Sequence, residues 1–162
     1  MLKYIGIIQC SKLKYWDRFR LTKKENIPQR LPAKVAYSST AFRLSVKICE
    51  KLNIPYMILS AVKGFLYPDE EIEYYENKTP DIEDYVKSGL ETLYKVQKFE
   101  TGIVFGSLKF YRAIAKIFQN FENIKLIPVW RFDTYFSYLK KLKFLYENCN
   151  SVEDLIEMLN RI

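Results

Sequence analysis

Four short stretches of this chain are apolar almost without interruption: Lys3–Gln9, Tyr56–Leu59, Gly102–Phe105 and Lys125–Val129. Each is rich in β-branched or aromatic residues, which predicts strands, and unbroken apolarity predicts a sheet covered on both faces. Between them the apolar spacing changes to about 3.6. Ser39 predicts a cap for a helix to about Leu52, with Ala41, Leu44, Ile48 and Leu52 on one stripe. Asp81–Lys98 and Lys109–Phe118 carry the same periodicity. Asp133 predicts the cap of a further helix, and Ser151-x-x-Asp154 predicts a capping box before Leu155, Ile156 and Leu159.

Strands alternating with helices predict an α/β fold. The expected form is a three-layer, Rossmann-like sandwich around a mostly parallel sheet of four strands or slightly more, in a single domain over residues 1–162. In such sheets ligands bind beyond the carboxyl ends of the strands. That rule selects Cys10–Lys14, Ser60–Tyr67 and Gly106–Lys109, which are far apart in sequence.

Composition narrows the chemistry. There is no histidine, which removes the usual zinc ligands, the catalytic triads and the commonest general base. Three cysteines (Cys10, Cys49 and Cys149) form no C-x-x-C pair, which fits a reducing cytoplasm. No apolar run approaches the roughly 20 residues of a membrane span, so no membrane partner is expected. The net charge of +7 is uneven: residues 1–51 carry +9, residues 52–100 carry −5, and residues 101–162 carry +3. A basic first third beside an acidic middle predicts an anionic partner, although a Lys/Glu-rich surface would give the same totals.

In Gln9-Cys10-Ser11-Lys12-Leu13-Lys14 a thiol at a strand end is followed by a hydroxyl and two ammonium groups. Nearby cations lower a thiol pKa and favour a nucleophilic Cys10; a desolvated Lys14 is the competing nucleophile or an anion ligand. A small buried core residue is the plainer role for Cys10. The connection that follows holds Arg18, Arg20, Lys23, Lys24, Arg30 and Lys34 with Trp16 and Phe19, a mixture suited to phosphates and bases. Tyr37, Ser38, Ser39 and Arg43 lie at a helix start, where free amides attract anions. Ser60, Lys63 and Gly64 follow the second strand; Gly106, Ser107 and Lys109 follow the third. Asp69 or Glu70 can supply a general acid or base. Neither G-x-G-x-x-G nor G-x-x-x-x-G-K-[ST] occurs. Carboxylates can hold Mg²⁺, but no pattern requires a metal, and the cofactor is unknown.

Together these segments resemble a widespread uncharacterised family of archaea, bacteria and phages, a domain of unknown function. Its pattern is C-S-x-x-K at a strand end, P-A-x-x-x-Y-x-S-x-x-F-R, L-S-A-x-x-G-L-L-x-P-D-E, and a late Lys-x-Tyr-Arg helix start. The matching residues are Cys10-Ser11, Lys14, Pro32-Ala33, Tyr37, Ser39, Phe42-Arg43, Leu59-Ser60-Ala61, Gly64, Leu66, Pro68-Asp69-Glu70 and Lys109/Tyr111-Arg112. At Val62-Lys63 the family's lysine is displaced by one position. The C-x-x-x-K spacing of Cys10 and Lys14 is more distantly similar to archaeosine synthases, whose lysine attacks a nitrile on a deazaguanine base. The family label gives no activity, and the archaeosine-synthase likeness bears on substrate class only; the convergent strand-end segments and the basic first third predict an enzyme acting on a nucleotide, a nucleobase or a nucleic acid. The alternatives are a non-catalytic nucleic-acid-binding module using the basic loop 12–34, or a binder of a small anionic metabolite. The oligomeric state is not legible.

Overall fold

The computed structural model describes residues 1–17, 28–76, 79–131 and 133–161. It is a mixed α/β structure around a five-stranded, mostly parallel sheet. The strands of that sheet are β1 (Leu2–Gln9), β3 (Tyr56–Ser60), β4 (Gly64–Leu66), β6 (Phe99–Phe105) and β7 (Lys125–Pro128). Their order is β4-β3-β1-β6-β7. β1 pairs in parallel with β3 on one side and β6 on the other, β6 pairs in parallel with β7, and β4 is antiparallel to β3. A separate antiparallel ribbon joins β2 (Arg30–Pro32) to β5 (Glu71–Glu73).

The inner strands are buried as their unbroken apolarity predicts. Ile5, Ile7 and Ile8 of β1 and Ile103, Val104 and Phe105 of β6 are all at or near zero exposure. Buried side chains among the described residues join into one cluster. No helix among them is long and apolar enough to cross a membrane.

The helices are α1 (Ala33–Ala36), α2 (Thr40–Lys51), α3 (Ile82–Glu91), α4 (Leu108–Ile117), α5 (Tyr135–Asn148) and α6 (Val152–Arg161). Ser39 caps α2 by accepting from Phe42 N, as its sequence position predicts. Asp81 and Asp84 cap α3 reciprocally, and Ser107 caps α4. α2 packs on α5, and α3 packs on α4.

Four expectations are revised. The helix predicted over Asp81–Lys98 ends at Glu91; a 3-10 turn at Leu93–Lys95 follows, and β6 begins at Phe99. α5 is capped by Thr134, because the Asp133 carboxylate is already taken by the Arg131 amide and the Lys141 ammonium. The sheet gains the antiparallel β4, where Gly64 makes the turn with φ +78. A Cβ at Gly64 would stand 2.7 Å from the Ser88 carbonyl, so both backbone and space call for glycine. Part of the connection after Tyr15 is ordered as β2 and α1, while Arg18, Phe19, Arg20, Lys23 and Lys24 lie outside the described residues.

Candidate functional site

The chain leaves β1 toward β3 on one side, and β6 lies on the other, so the strand order reverses between β1 and β6. In doubly wound sheets this reversal opens a crevice at the carboxyl ends of the two strands. A cavity of about 560 Å³ lies there. Gln9, Cys10 and Ser11 from the end of β1 line it, as do Gly106 and Ser107 from the end of β6. Gln9 ties the two ends together: its Oε1 accepts from Ser107 N at 2.9 Å, and its Nε2 donates to Tyr85 OH at 2.9 Å. Gly106 is needed for the approach, since a Cβ would sit 2.5 Å from Phe110 Cδ2 and 2.8 Å from Gln9 Cβ.

α2 and α4 both start at this cavity. Ser39 and Thr40 at the head of α2, and Ser107 at the head of α4, all line it. Ser11 holds the first of these starts, its Oγ accepting from Ser38 N at 3.1 Å and Ser39 N at 3.4 Å while donating to Leu13 O. Each cap serine takes only the third amide of its helix, Phe42 or Phe110. Thr40, Ala41, Leu108 and Lys109 therefore keep open first-turn amides among the described residues. Such donors, with the positive end of each helix dipole, favour an anion.

The opposite wall is aromatic. Trp130, Tyr135 and Tyr138 line it, with Trp130 stacked on Tyr138 at 4.4 Å between centroids and 19° between planes. Tyr138 is 1% exposed, yet its hydroxyl has no hydrogen-bond partner among the described residues. The neighbouring Ser45 hydroxyl donates to Ala41 O at 2.8 Å. Burial pushes the Tyr138 hydroxyl up, against the opposing pull of the neighbouring Ser45 hydroxyl, so it stays protonated.

Behind the cavity floor lies a buried polar cluster. Cys10 is 8% exposed and Lys14 only 2%. The Lys14 ammonium sits 4.4 Å from the centroid of the Tyr75 ring and donates to Lys12 O at 3.3 Å. Tyr75 OH meets Tyr37 OH at 2.5 Å and Ser60 Oγ at 2.8 Å. Burial pushes the Cys10 thiol up, against the opposing pull of the Ala61 backbone, the Tyr85 hydroxyl and Lys14. Burial pushes Lys14 down, against Cys10, Asp17 and Glu76. Burial also raises Tyr75 to about 12. Lys14 lines a second cavity of about 500 Å³ with Lys12, Asp17, Tyr74 and Glu76, and does not line the first.

No family model and no curated protein matches the chain. Its chemistry must be read from the residues that the fold assembles.

Of the residues singled out in the sequence, Cys10, Ser11, Lys12, Ser39, Gly106 and Ser107 meet at the cavity between the ends of β1 and β6. Lys14, Tyr37 and Ser60 meet behind it, and the Lys63 ammonium lies 5.4 Å from the centroid of the Tyr75 ring. Ser38 is buried beside Ser11. Others are not brought in. The Asp69 side chain is 83% exposed and pairs with Lys34 at 3.2 Å. Glu70 pairs with Lys95 at 2.6 Å and accepts from Tyr67 N. Arg43 is exposed on α2, Gly64 serves the β3–β4 turn, and Lys109 donates to Pro80 O. Trp16 is buried, with its indole N–H donating to Pro28 O, so it packs inward and cannot stack on a base.

The sequence reading missed Tyr75, Tyr85, Trp130, Tyr135 and Tyr138 as site residues. For Trp130 a signal existed: it follows β7 directly, and the same strand-end rule reaches it. Tyr75 and Tyr85 carry no such mark. They enter through long-range packing that spacing does not encode.

Proposed function

We propose that this protein is an enzyme acting on a nucleotide or nucleobase bound in the cavity between the ends of β1 and β6. The observation that carries it is the convergence on one cavity of two helix starts, an aromatic wall and the unpaired Tyr138 hydroxyl. Phosphate oxygens meet the open amides of Thr40 and Ala41, which line the cavity at the head of α2, beside the α4 start at Ser107. The base lies against Trp130 and Tyr135, and an acceptor atom on it accepts a hydrogen bond from Tyr138 OH.

Cys10 faces this cavity, whereas Lys14 lies behind it. On this reading the Cys10 sulfur adds to the carbon of a C=N bond in the ring, the π pair moves onto the ring nitrogen, and the thiol proton passes by way of the neutral Lys14 amine to that nitrogen. The lowered basicity of Lys14 suits that exchange, since it raises the share of neutral amine. Tyr85 and Ser60 hold the thiol in place. On the same reading the sheet is the middle of a three-layer, Rossmann-like sandwich. Right-handed crossovers put α2 on one face and α3 and α4 on the other, in keeping with the packing of α2 on α5 and α3 on α4.

Calorimetric titration with nucleosides and with their mono- and diphosphates tests the assignment. Aspartate caps a helix about as well as serine, so Ser39→Asp and Ser107→Asp preserve the helices while placing a negative charge at the phosphate position. Nucleotides should bind the wild type and lose at least about tenfold in each variant, a change of about 1.4 kcal/mol, while the nucleosides hold their affinity. Absence of nucleotide binding, or equal binding by both variants, would refute it.

A further inference from the structure

α2 and α5 both begin at the cavity, where Thr40 and Tyr135 line it, and they pack against each other along their length. Lys51 near the end of α2 joins them by donating to Tyr146 O and lying over the Tyr146 ring. Their outward faces are unlike an ordinary solvated surface. On α5, Phe136 is 66% exposed and Phe144 52% exposed. They stand at i and i+8 with Lys140 at i+4 between them, so all three share one stripe spanning about 12 Å of helix. The Lys140 ammonium lies 4.6 Å from the centroid of the Phe136 ring. Lys143 is exposed beside them.

On α2 the exposed positions include Arg43 and Lys47 at i and i+4. The acidic residues exposed on these two helices, Glu50 and Glu147, sit at their far ends, away from the cavity. Phe136 and Phe144 are more than half exposed on one helix face, and Tyr135 at 51% extends that exposed aromatic set to the cavity mouth. Here they alternate with cations rather than merging into an apolar face. Lys140 interrupts the stripe and Lys143 flanks it, which leaves too little continuous apolar area for insertion among lipid chains. Rings separated by ammonium groups suit a ligand that itself alternates flat rings with phosphates.

We infer that the outward faces of α2 and α5 form a track for single-stranded nucleic acid leading away from the cavity. Bases stack on Phe136 and Phe144, and phosphates meet Arg43, Lys47, Lys140 and Lys143. The terminal or everted nucleotide then enters the cavity past Tyr135. This rests on the nucleotide reading of the cavity and narrows its substrate to a polymer.

The test compares a mononucleotide with ten-residue single-stranded RNA and DNA of one sequence, by fluorescence anisotropy and calorimetry at several salt concentrations. The wild type should bind at least one oligomer about tenfold or more tighter than the mononucleotide. Phe136→Ala with Phe144→Ala should remove that advantage while leaving mononucleotide binding unchanged. Lys140→Ala with Lys143→Ala should reduce the salt slope of oligomer binding by about 1.4, given about 0.7 per single-strand phosphate contact. All four side chains are exposed on a helix, so the variants should fold. RNA and DNA arms distinguish the two sugars. If the mononucleotide binds but oligomers gain nothing, or if these variants bind oligomers as the wild type does, the track is refuted and the cavity reading stands. If neither mononucleotide nor oligomer binds, both fall. Binding of the same face to anionic vesicles in preference to oligomers also overturns the track.

Discussion

The Lys14 ammonium stands 4.4 Å from the centroid of the Tyr75 ring, in a side chain that is 2% exposed. Burial disfavours its charge, and the electron-rich ring face and the Lys12 carbonyl offset part of that cost. The net effect is a lysine held below its ordinary pKa of about 10.4. The unfolded chain therefore binds more protons than the folded one in the window below that value, and stability linked to Lys14 rises with pH there. Lys14→Met removes this linkage. Denaturation from about pH 7 to about pH 10 should show the wild type gaining on Lys14→Met as pH rises. A constant difference across that range would mean that the lysine is not perturbed.

Tyr75 has a second task, separable from the first. Its hydroxyl bridges Tyr37 OH and Ser60 Oγ, both in buried side chains. Tyr75→Phe keeps the ring under Lys14 and removes only the bridge, leaving the Tyr37 hydroxyl short of a partner. Urea unfolding should show a loss of about 1–3 kcal/mol, the usual cost of an unsatisfied buried polar group. A loss below about 0.5 kcal/mol would show that Tyr37 and Ser60 find other partners.

Much of the sheet was legible because buried parallel strands advertise themselves by unbroken apolar runs; β1 and β3 fall within one residue of the predicted stretches. The Ser39 cap of α2 was legible, since a cap is a local hydrogen bond; the Ser107 cap of α4 was not read, because the apolar spacing there registers only from Lys109. The β2–β5 ribbon was not. Each strand has three residues, and in β5 only Ile72 is buried, which is too little for a period of two to register. That ribbon also explains the fate of the acidic stretch. Glu71 and Glu73 point outward to Arg30, and Asp69 and Glu70 are committed to Lys34 and Lys95. The cluster of hydroxyls around Cys10 was hidden for another reason: Ser60, Tyr75 and Tyr85 meet only after the chain has folded.

The acidic pair supplies a contrasting prediction. Asp69→Ala should leave nucleotide affinity within twofold and stability within about 0.5 kcal/mol, because an exposed ion pair contributes little. A tenfold loss of binding in Asp69→Ala would return the carboxylate to the site.

Cys10 has a measurable signature as well. With Cys49 and Cys149 replaced by serine, the native Cys10 thiol should react slowly with a disulfide reagent near neutral pH and speed up only above the ordinary thiol range, since burial raises it. Lys14 opposes that rise, so Lys14→Met should move the midpoint higher and slow the reaction further at fixed pH. Rapid reaction near neutrality would show an activated thiolate in the free protein; an unchanged midpoint in Lys14→Met would uncouple the two residues.

Tyr138 separates stability from binding most cleanly. Its hydroxyl is buried and unpartnered in the free protein, so keeping it there costs free energy. Tyr138→Phe keeps the stack on Trp130 and deletes the orphaned group. The variant should therefore be as stable as the wild type or more stable by up to about 1–3 kcal/mol in thermal or urea unfolding. A ligand that accepts a hydrogen bond from Tyr138 OH reverses the balance, because the variant then leaves that acceptor unpaired. Nucleotide affinity should fall by about tenfold, a change of about 1.4 kcal/mol. A structural role would give the opposite signs, lower stability with unchanged binding, so one variant measured both ways decides whether the cavity was built around a ligand or only around its own side chains.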